Sequence, residues 1–277
     1  PPSSSTGFAM SQHPPVFRLI PGSRPLIVSM PHAGTRLPPE LAQRMTEHGR
    51  AVPDTDWHME ALYGFAREMG ASLLVAEYSR YVIDLNRPPD GQNLYPGQDT
   101  TGLCPVDTFL KQPIYLPGQE PTEEEIAQRL QRWWRPYHEA LQAELQRLRA
   151  EHGTVALWDA HSICSQLPRF FEGKLPDLNL GTADGASCAP QLAERVYALA
   201  RQAEGYTSVL NGRFKGGYIT RRYGDPTRGI HAIQLEMAYC AYMGEEPPYP
   251  WMPERAAGIQ PHLKAMLQAC LDFVEGR

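Results

Sequence analysis

This sequence predicts an α/β fold, a sheet with helices on both faces, and three features predict it. Short, apolar, β-branched runs such as "RPLIVSM", "ASLLVAEYS", "TVALWDAHS" and "IHAIQLEMA" read as buried strands. Segments with apolar residues at helical spacing lie between them, and that alternation is the pattern of strands joined through crossover helices. The chain has 277 residues, 42% of them hydrophobic, enough to enclose one large core, and shows neither an internal repeat nor a linker. A single domain over residues 15–277 is expected. Ahead of it lie residues 1–14, rich in Pro and Ser, expected to form a disordered arm with Met10 as a natural start.

The elements follow in order. "RPLIVSM" stops at Pro31, which places His32 just past a strand's C-terminal end. "PDTDWHMEALYGFAREMG" reads as a helix with Asp54 or Asp56 as N-cap, Met59, Leu62, Tyr63, Ala66 and Met69 on its apolar face, and Gly70 as its stop. "ASLLVAEYS" and "YVIDLNR" are the next extended segments, cut off by Pro88 and Pro89. From Pro88 to Pro121 turn residues dominate without periodicity, the mark of a long functional loop. Thr122 caps the clearest helix, whose stripe runs through Ile126, Leu130, Trp133, Tyr137, Leu141, Leu145 and Leu148 to a stop at Gly153, with Pro136 placed to kink it. The strand "TVALWDAHS" then runs into His161. A helix near Pro190–Ala203, a short strand "TSVL" and the glycine-bearing "NGRFKGGYITRRYG" come next. "IHAIQLEMA" carries Glu236 inside a strand, and a last helix spans about Pro261 to Glu275.

Charge and composition exclude several functions. A net charge of −5 without a basic block argues against a nucleic-acid partner. No apolar run reaches the roughly 18 residues of a membrane span, and no secretion-signal segment is visible, so a cytoplasmic protein is expected. Cys104, Cys164, Cys188, Cys240 and Cys270 are scattered, odd in number and never in a C-x-x-C pair, which points to reduced thiols rather than disulfides or a cysteine zinc site.

Open α/β sheets bind ligands beyond the carboxyl ends of their strands, and three strands here end on a metal-competent or basic group: His32, His161 and Glu236. Asp54 and Asp56 lie where a carboxylate can turn toward the same edge. Two imidazoles and one carboxylate, with a position left open, form the ligand set of a catalytic zinc. Plainer readings stand beside this: a histidine in a turn, an aspartate as N-cap, and Glu236 in a buried ion pair. A second constellation is cationic. Arg80, Asn86 and Arg87 surround "YVIDLNR", and Arg213, Lys215, Arg221 and Arg222 flank the paired glycines. Guanidinium groups clamp small carboxylates, though each of these can equally be a solvated charge or a partner of Asp84. The sequence holds no G-x-S-x-G, G-x-x-x-x-G-K-[ST], G-x-G-x-x-G or H-E-x-x-H, and "HME" at His58 lacks the P-C-x-x-C of a zinc deaminase.

"SMPHAGTRLP", "DTDWH", "YSRYVIDLNRPPDGQNLYP", "DAHSICSQLPRFFEG", "NLGTADGASC", "FKGGYITRRYG" and "HAIQLEMA" together resemble the N-formylglutamate deformylase (N-formylglutamate amidohydrolase) family, over nearly the whole chain after about residue 14. The family acts last in one bacterial histidine-degradation route and is related to zinc carboxypeptidases and aspartoacylases. The resemblance implies a three-layer α/β/α hydrolase with a mixed, mostly parallel sheet and a Zn2+ cofactor, with Co2+ also fitting. It implies hydrolysis of the small molecule N-formyl-L-glutamate to formate and L-glutamate. On this likeness His32 and His161 match the two metal histidines and Glu236 the general base. Carboxypeptidases place a glutamate three residues after the first histidine, where this chain has Thr35; Asp56 is chosen for that role, with Asp54 as the alternative. Asn86 and Arg87 are similar to the pair that holds a substrate carboxylate, and Arg80, Tyr218 and Arg221 are expected to complete a pocket for the second carboxylate. The competing functions are a zinc-dependent deacylase of another N-acyl amino acid and an inactive binding protein for acidic amino acids.

Overall fold

A computed structural model describes residues 14–277, so the expected N-terminal arm, apart from Pro14, and the start at Met10 lie outside the described residues. Seven strands, β1 Phe17–Ile20, β2 Leu26–Met30, β3 Ser72–Ala76, β4 Val155–Ile163, β5 Leu178–Gly181, β6 Ser208–Leu210 and β7 Ile230–Ala238, form one sheet in the order β1-β3-β2-β4-β7-β5-β6. The central β3, β2, β4 and β7 run parallel, β1 is antiparallel to β3, and β5 is antiparallel to β7 and parallel to β6. The sheet is mixed, and parallel pairing predominates.

Strand side chains alternate between faces, and both faces here are apolar, which accounts for the uninterrupted hydrophobic runs in the sequence. Leu26, Val28 and Met30 of β2 share a core with Trp158 and Ala160 of β4 and Ile233 of β7. That face is covered by helices Pro190–Gln202 and Pro253–Val274, through Leu192, Val196, Ile259, Leu263 and Met266. Ile27, Leu157 and Ala232 point the other way, onto Tyr137, Leu141 and Leu145 of helix Arg135–His152 and Ile219 of helix Tyr218–Tyr223. The result is three layers, α/β/α. Among the described residues no helix is long and apolar enough to cross a membrane.

Local readings fail where tertiary contacts outweigh pattern. The helix expected over 53–70 breaks into two single turns, Met59–Leu62 and Phe65–Glu68. His58 sits in the left-handed region (φ 61°) at the first N-cap position, and neither Asp54 nor Asp56 caps. "YVIDLNR" is not a strand: it forms buried turns, with the Asp84 amide bonded to the Leu103 carbonyl at 2.7 Å. Strands β1 and β5 carry no sequence signal, being only four residues each. Thr122 does cap its helix, accepting from the Glu125 amide at 3.2 Å. Ahead of Pro136, Leu130–Trp134 widens into a π-turn, a way for the helix to absorb a residue that lacks its N–H. The last helix begins at Pro253 and contains Pro261.

Trp158, fully buried in a central strand, donates Nε1–H to the Tyr63 hydroxyl at 3.0 Å. Trp158→Ala is therefore expected to cost about 3–5 kcal/mol of stability, from the cavity and the stranded hydroxyl, measurable as a fall in the urea midpoint. An unchanged midpoint would contradict the packing described.

Candidate active site

Parallel pairing of β4 with β7 sets His161 opposite Glu236 and Asp159 opposite Gln234, so one sheet face carries Asp159, His161 and Glu236 at neighbouring positions. His32 reaches the same place from the turn after β2. That turn needs Gly34: a Cβ there would fall 2.2 Å from the Tyr78 carbonyl oxygen. The His32 carbonyl in turn accepts from the Asp56 amide at 2.9 Å, which draws the loop ahead of Met59 across the sheet edge. The Asp56 carboxylate then meets both rings, its Oδ2 lying 3.3 Å from His161 Nδ1 and 3.8 Å from His32 Nδ1. All three residues are buried, and their ligand atoms lie within 4.8 Å of one another.

The outer nitrogens of both imidazoles are already committed. His32 Nε2–H donates to Asp84 Oδ1 and His161 Nε2–H to Asp159 Oδ2, each at 2.6 Å. These bonds fix the tautomers and turn both Nδ1 lone pairs inward, 3.2 Å apart. Arg80 Nη1, facing His32 Nδ1 at 3.2 Å, agrees with an acceptor there. Asp56 Oδ2 is buried with no hydrogen-bond partner. Acceptors aimed at one point repel unless a proton or a cation lies among them, and a carboxylate behind each histidine is the usual support of a metal ligand. Protonation shifts point the same way. Burial and then the Arg80 guanidinium depress His32. Burial opposes a proton on His161 too, but Asp159 and Asp56 outweigh it and raise this ring well above its ordinary value. The cluster calls for positive charge, which either a proton or a divalent ion can supply.

Glu236 forms no ion pair among the described residues, so the ion-pair alternative is not met. Burial, reinforced by Asp56 against the opposing charge of His161, pushes its carboxyl up to about 8. Asp54 is occupied elsewhere: its Oδ2 accepts from the Tyr81 hydroxyl and from the Phe109 amide.

The cavity that opens onto Glu236 and both histidines is lined by Arg80, Asn86, Arg87 and Arg213, with Phe109, Phe170 and Phe214 as apolar wall. Arg80 donates to Asp84 Oδ2 at 2.9 Å beneath the ring of Phe109. Arg87 donates to the Thr101 carbonyl at 2.9 Å and to that of Asn86 at 3.1 Å. Asn86 lies 3.4 Å from His161 Nε2, and its Oδ1 accepts from the Ile219 amide at 2.9 Å. Gly217 permits this approach, since a Cβ there would sit 2.5 Å from Asn86 Nδ2. Two donors from the π-turn and the following helix pin the Asn86 turn: His138 Nε2 to the Leu85 carbonyl (2.8 Å) and Trp134 Nε1 to that of Arg87 (3.1 Å).

Tyr218 and Arg221 do not line the cavity. The helix that starts after Gly217 packs Tyr218 against Trp134 and His138, while Arg221 donates to the Gly216 carbonyl at 2.9 Å, beside Tyr95. Lys215 pairs with Asp184 at the surface. The reading from sequence overlooked Asp159, although D-x-H within one strand puts both side chains on one face, and it weighed Asp84 only as a partner for arginine. Asp159→Asn keeps the shape but removes the charge behind His161. It is expected to weaken divalent-metal affinity by about 10–100-fold in competition with a chelating dye; full affinity would detach His161 from any metal.

Comparison with known proteins gives a consistent picture. Residues 24–243 match the N-formylglutamate amidohydrolase family. The chain is 53% identical over 250 residues to N-formylglutamate deformylase of Pseudomonas putida, covering 90% of this chain and 93% of that one. The corresponding Pseudomonas aeruginosa protein is 51% identical, with 90% and 94% covered. The crystal structure of N-formylglutamate amidohydrolase from Ralstonia eutropha JMP134 superposes with a TM-score of 0.77 at 28% identity, over 94% of this chain and 97% of that one.

Proposed function

The chain belongs to the N-formylglutamate amidohydrolase family, and we propose that it hydrolyses N-formyl-L-glutamate to formate and L-glutamate, with His32, Asp56 and His161 holding a zinc ion and Glu236 as general base. The observation that carries the metal assignment is the partnerless Asp56 Oδ2 set between two inward-facing Nδ1 atoms. Two imidazoles and a carboxylate suit catalytic Zn2+, and Co2+ fits the same donors. When bound, the ion supplies Lewis acidity, polarising a carbonyl oxygen and acidifying water.

The protein's own groups do the rest. Glu236, whose carboxyl burial pushes up to about 8 and so makes a stronger base, takes a proton from the attacking water and returns it to the departing amine nitrogen. Asn86 and Arg87 receive the carboxylate beside the scissile amide, which makes the attack effectively unimolecular. Arg80 lines the same cavity and, through Asp84, steadies the His32 ring. Phe109 and Phe170 limit water around the reacting centre. This reading places the enzyme in the cytoplasm, in a histidine-degradation route, acting on a small molecule rather than on nucleic acid or membrane, in keeping with a net charge of −5 and no basic run.

Formate release from N-formylglutamate tests the proposal directly. Chelation should abolish it and Zn2+ or Co2+ restore it; activity that persists in the metal-free protein would end the metal assignment. Glu236→Gln should lower kcat by about 10²–10⁴-fold with metal content intact. Normal turnover in that variant would remove Glu236 from its role. N-acetyl and dipeptide substrates should be poor, and equal rates on them would favour a general deacylase instead.

A further inference from the structure

We infer that Arg213 receives the side-chain carboxylate of the substrate and so sets selectivity for an acidic N-formyl amino acid over a neutral one. The inference rests on the cavity being the deformylation site. Three arginines line that cavity, and two of them share one carboxylate of the protein: Arg80 and Arg87 lie 2.9 and 3.5 Å from Asp84 Oδ2. Arg213 has no carboxylate within salt-bridge distance among the described residues. It donates from Nε to the Phe170 carbonyl at 2.8 Å and from Nη2 to the Asp99 carbonyl at 3.4 Å, and its Nη1 makes no hydrogen bond among these residues. The nearby Asp99 carboxylate is taken by Arg169 at 3.0 Å.

The Arg213 guanidinium is also held in orientation. It lies over the rings of Phe214 (5.1 Å) and Tyr95 (5.8 Å), both of which line the cavity. A half-buried guanidinium fixed by two carbonyls and two rings, with donors unused, is organised in advance for a carboxylate fork. Desolvation lowers its pKa, a cost that an arriving anion relieves.

Substrate chemistry decides which carboxylate goes where. The α-carboxylate is attached to the carbon that bears the scissile nitrogen, so it falls to the pair nearest the reacting centre, where Asn86 stands 3.4 Å from His161. The side-chain carboxylate, carried away on methylenes, is left for Arg213.

The test is formate release from N-formyl-L-glutamate and N-formyl-L-glutamine by wild type, Arg213→Met and Arg213→Lys, with metal content and unfolding midpoint followed alongside. Arg213→Met is expected to lower kcat/KM for N-formylglutamate by about 10–100-fold, chiefly through KM, and to lower that for N-formylglutamine, whose neutral amide offers the guanidinium a single uncharged acceptor, by much less. Arg213→Lys, which keeps the charge but not the planar fork, should retain part of the preference and covers the case in which the methionine variant does not fold. A wild-type preference that survives both substitutions, or an equal loss on both substrates, overturns the role of Arg213. Failure of the underlying reading is separate: wild-type protein would then release formate from neither substrate.

Discussion

Two carboxylate–imidazole hydrogen bonds, Asp84 to His32 and Asp159 to His161, carry the organisation of this site. Each takes up the outer nitrogen of a buried ring and so sends the inner lone pair toward Asp56. Without them either ring could rotate or change tautomer, and three acceptors would not remain aimed at one point. The arrangement is costly by itself, because buried electron pairs face one another. A divalent ion held among these donors would offset that cost.

The support behind these bonds comes from several layers. Asp159 is held in β4 by the parallel ladder, but Asp84 lies in an irregular segment and must be fixed by other means. Leu103 accepts its amide, Arg80 and Arg87 share its second oxygen, and the carbonyls flanking Asn86 accept from His138 and Trp134. One buried turn thus supports both His32 and the cavity-lining Asn86 and Arg87. The π-turn at Leu130–Trp134 supplies Trp134 and leads straight into the helix that supplies His138.

Much of the candidate site was legible because it breaks local pattern. His32, His161 and Glu236 are polar residues at or inside apolar strands, where burial needs a reason. Asp56 and Asp54 were not separable by pattern, since both sit in the same polar loop; the bond from the Asp56 amide to His32 and the engagement of Asp54 by Tyr81 and Phe109 separate them. The arginines around the paired glycines were equally ambiguous. The start of a helix after Gly217 packs Tyr218 and Arg221 outside the cavity, while Arg213, ahead of the glycines, remains in its lining.

The sequence by itself determined the α/β class, the central strands, the long helices and the three polar residues that interrupt strands, because periodicity and strand ends are properties of neighbouring residues. Strand order, the antiparallel edges, the loss of the helix over 53–70 and which of the acids and arginines stand at the cavity were decided only by tertiary structure. These depend on contacts between residues far apart in the chain, such as Asp84 with His32 and Asn86 with Gly217, whose geometry no local spacing encodes.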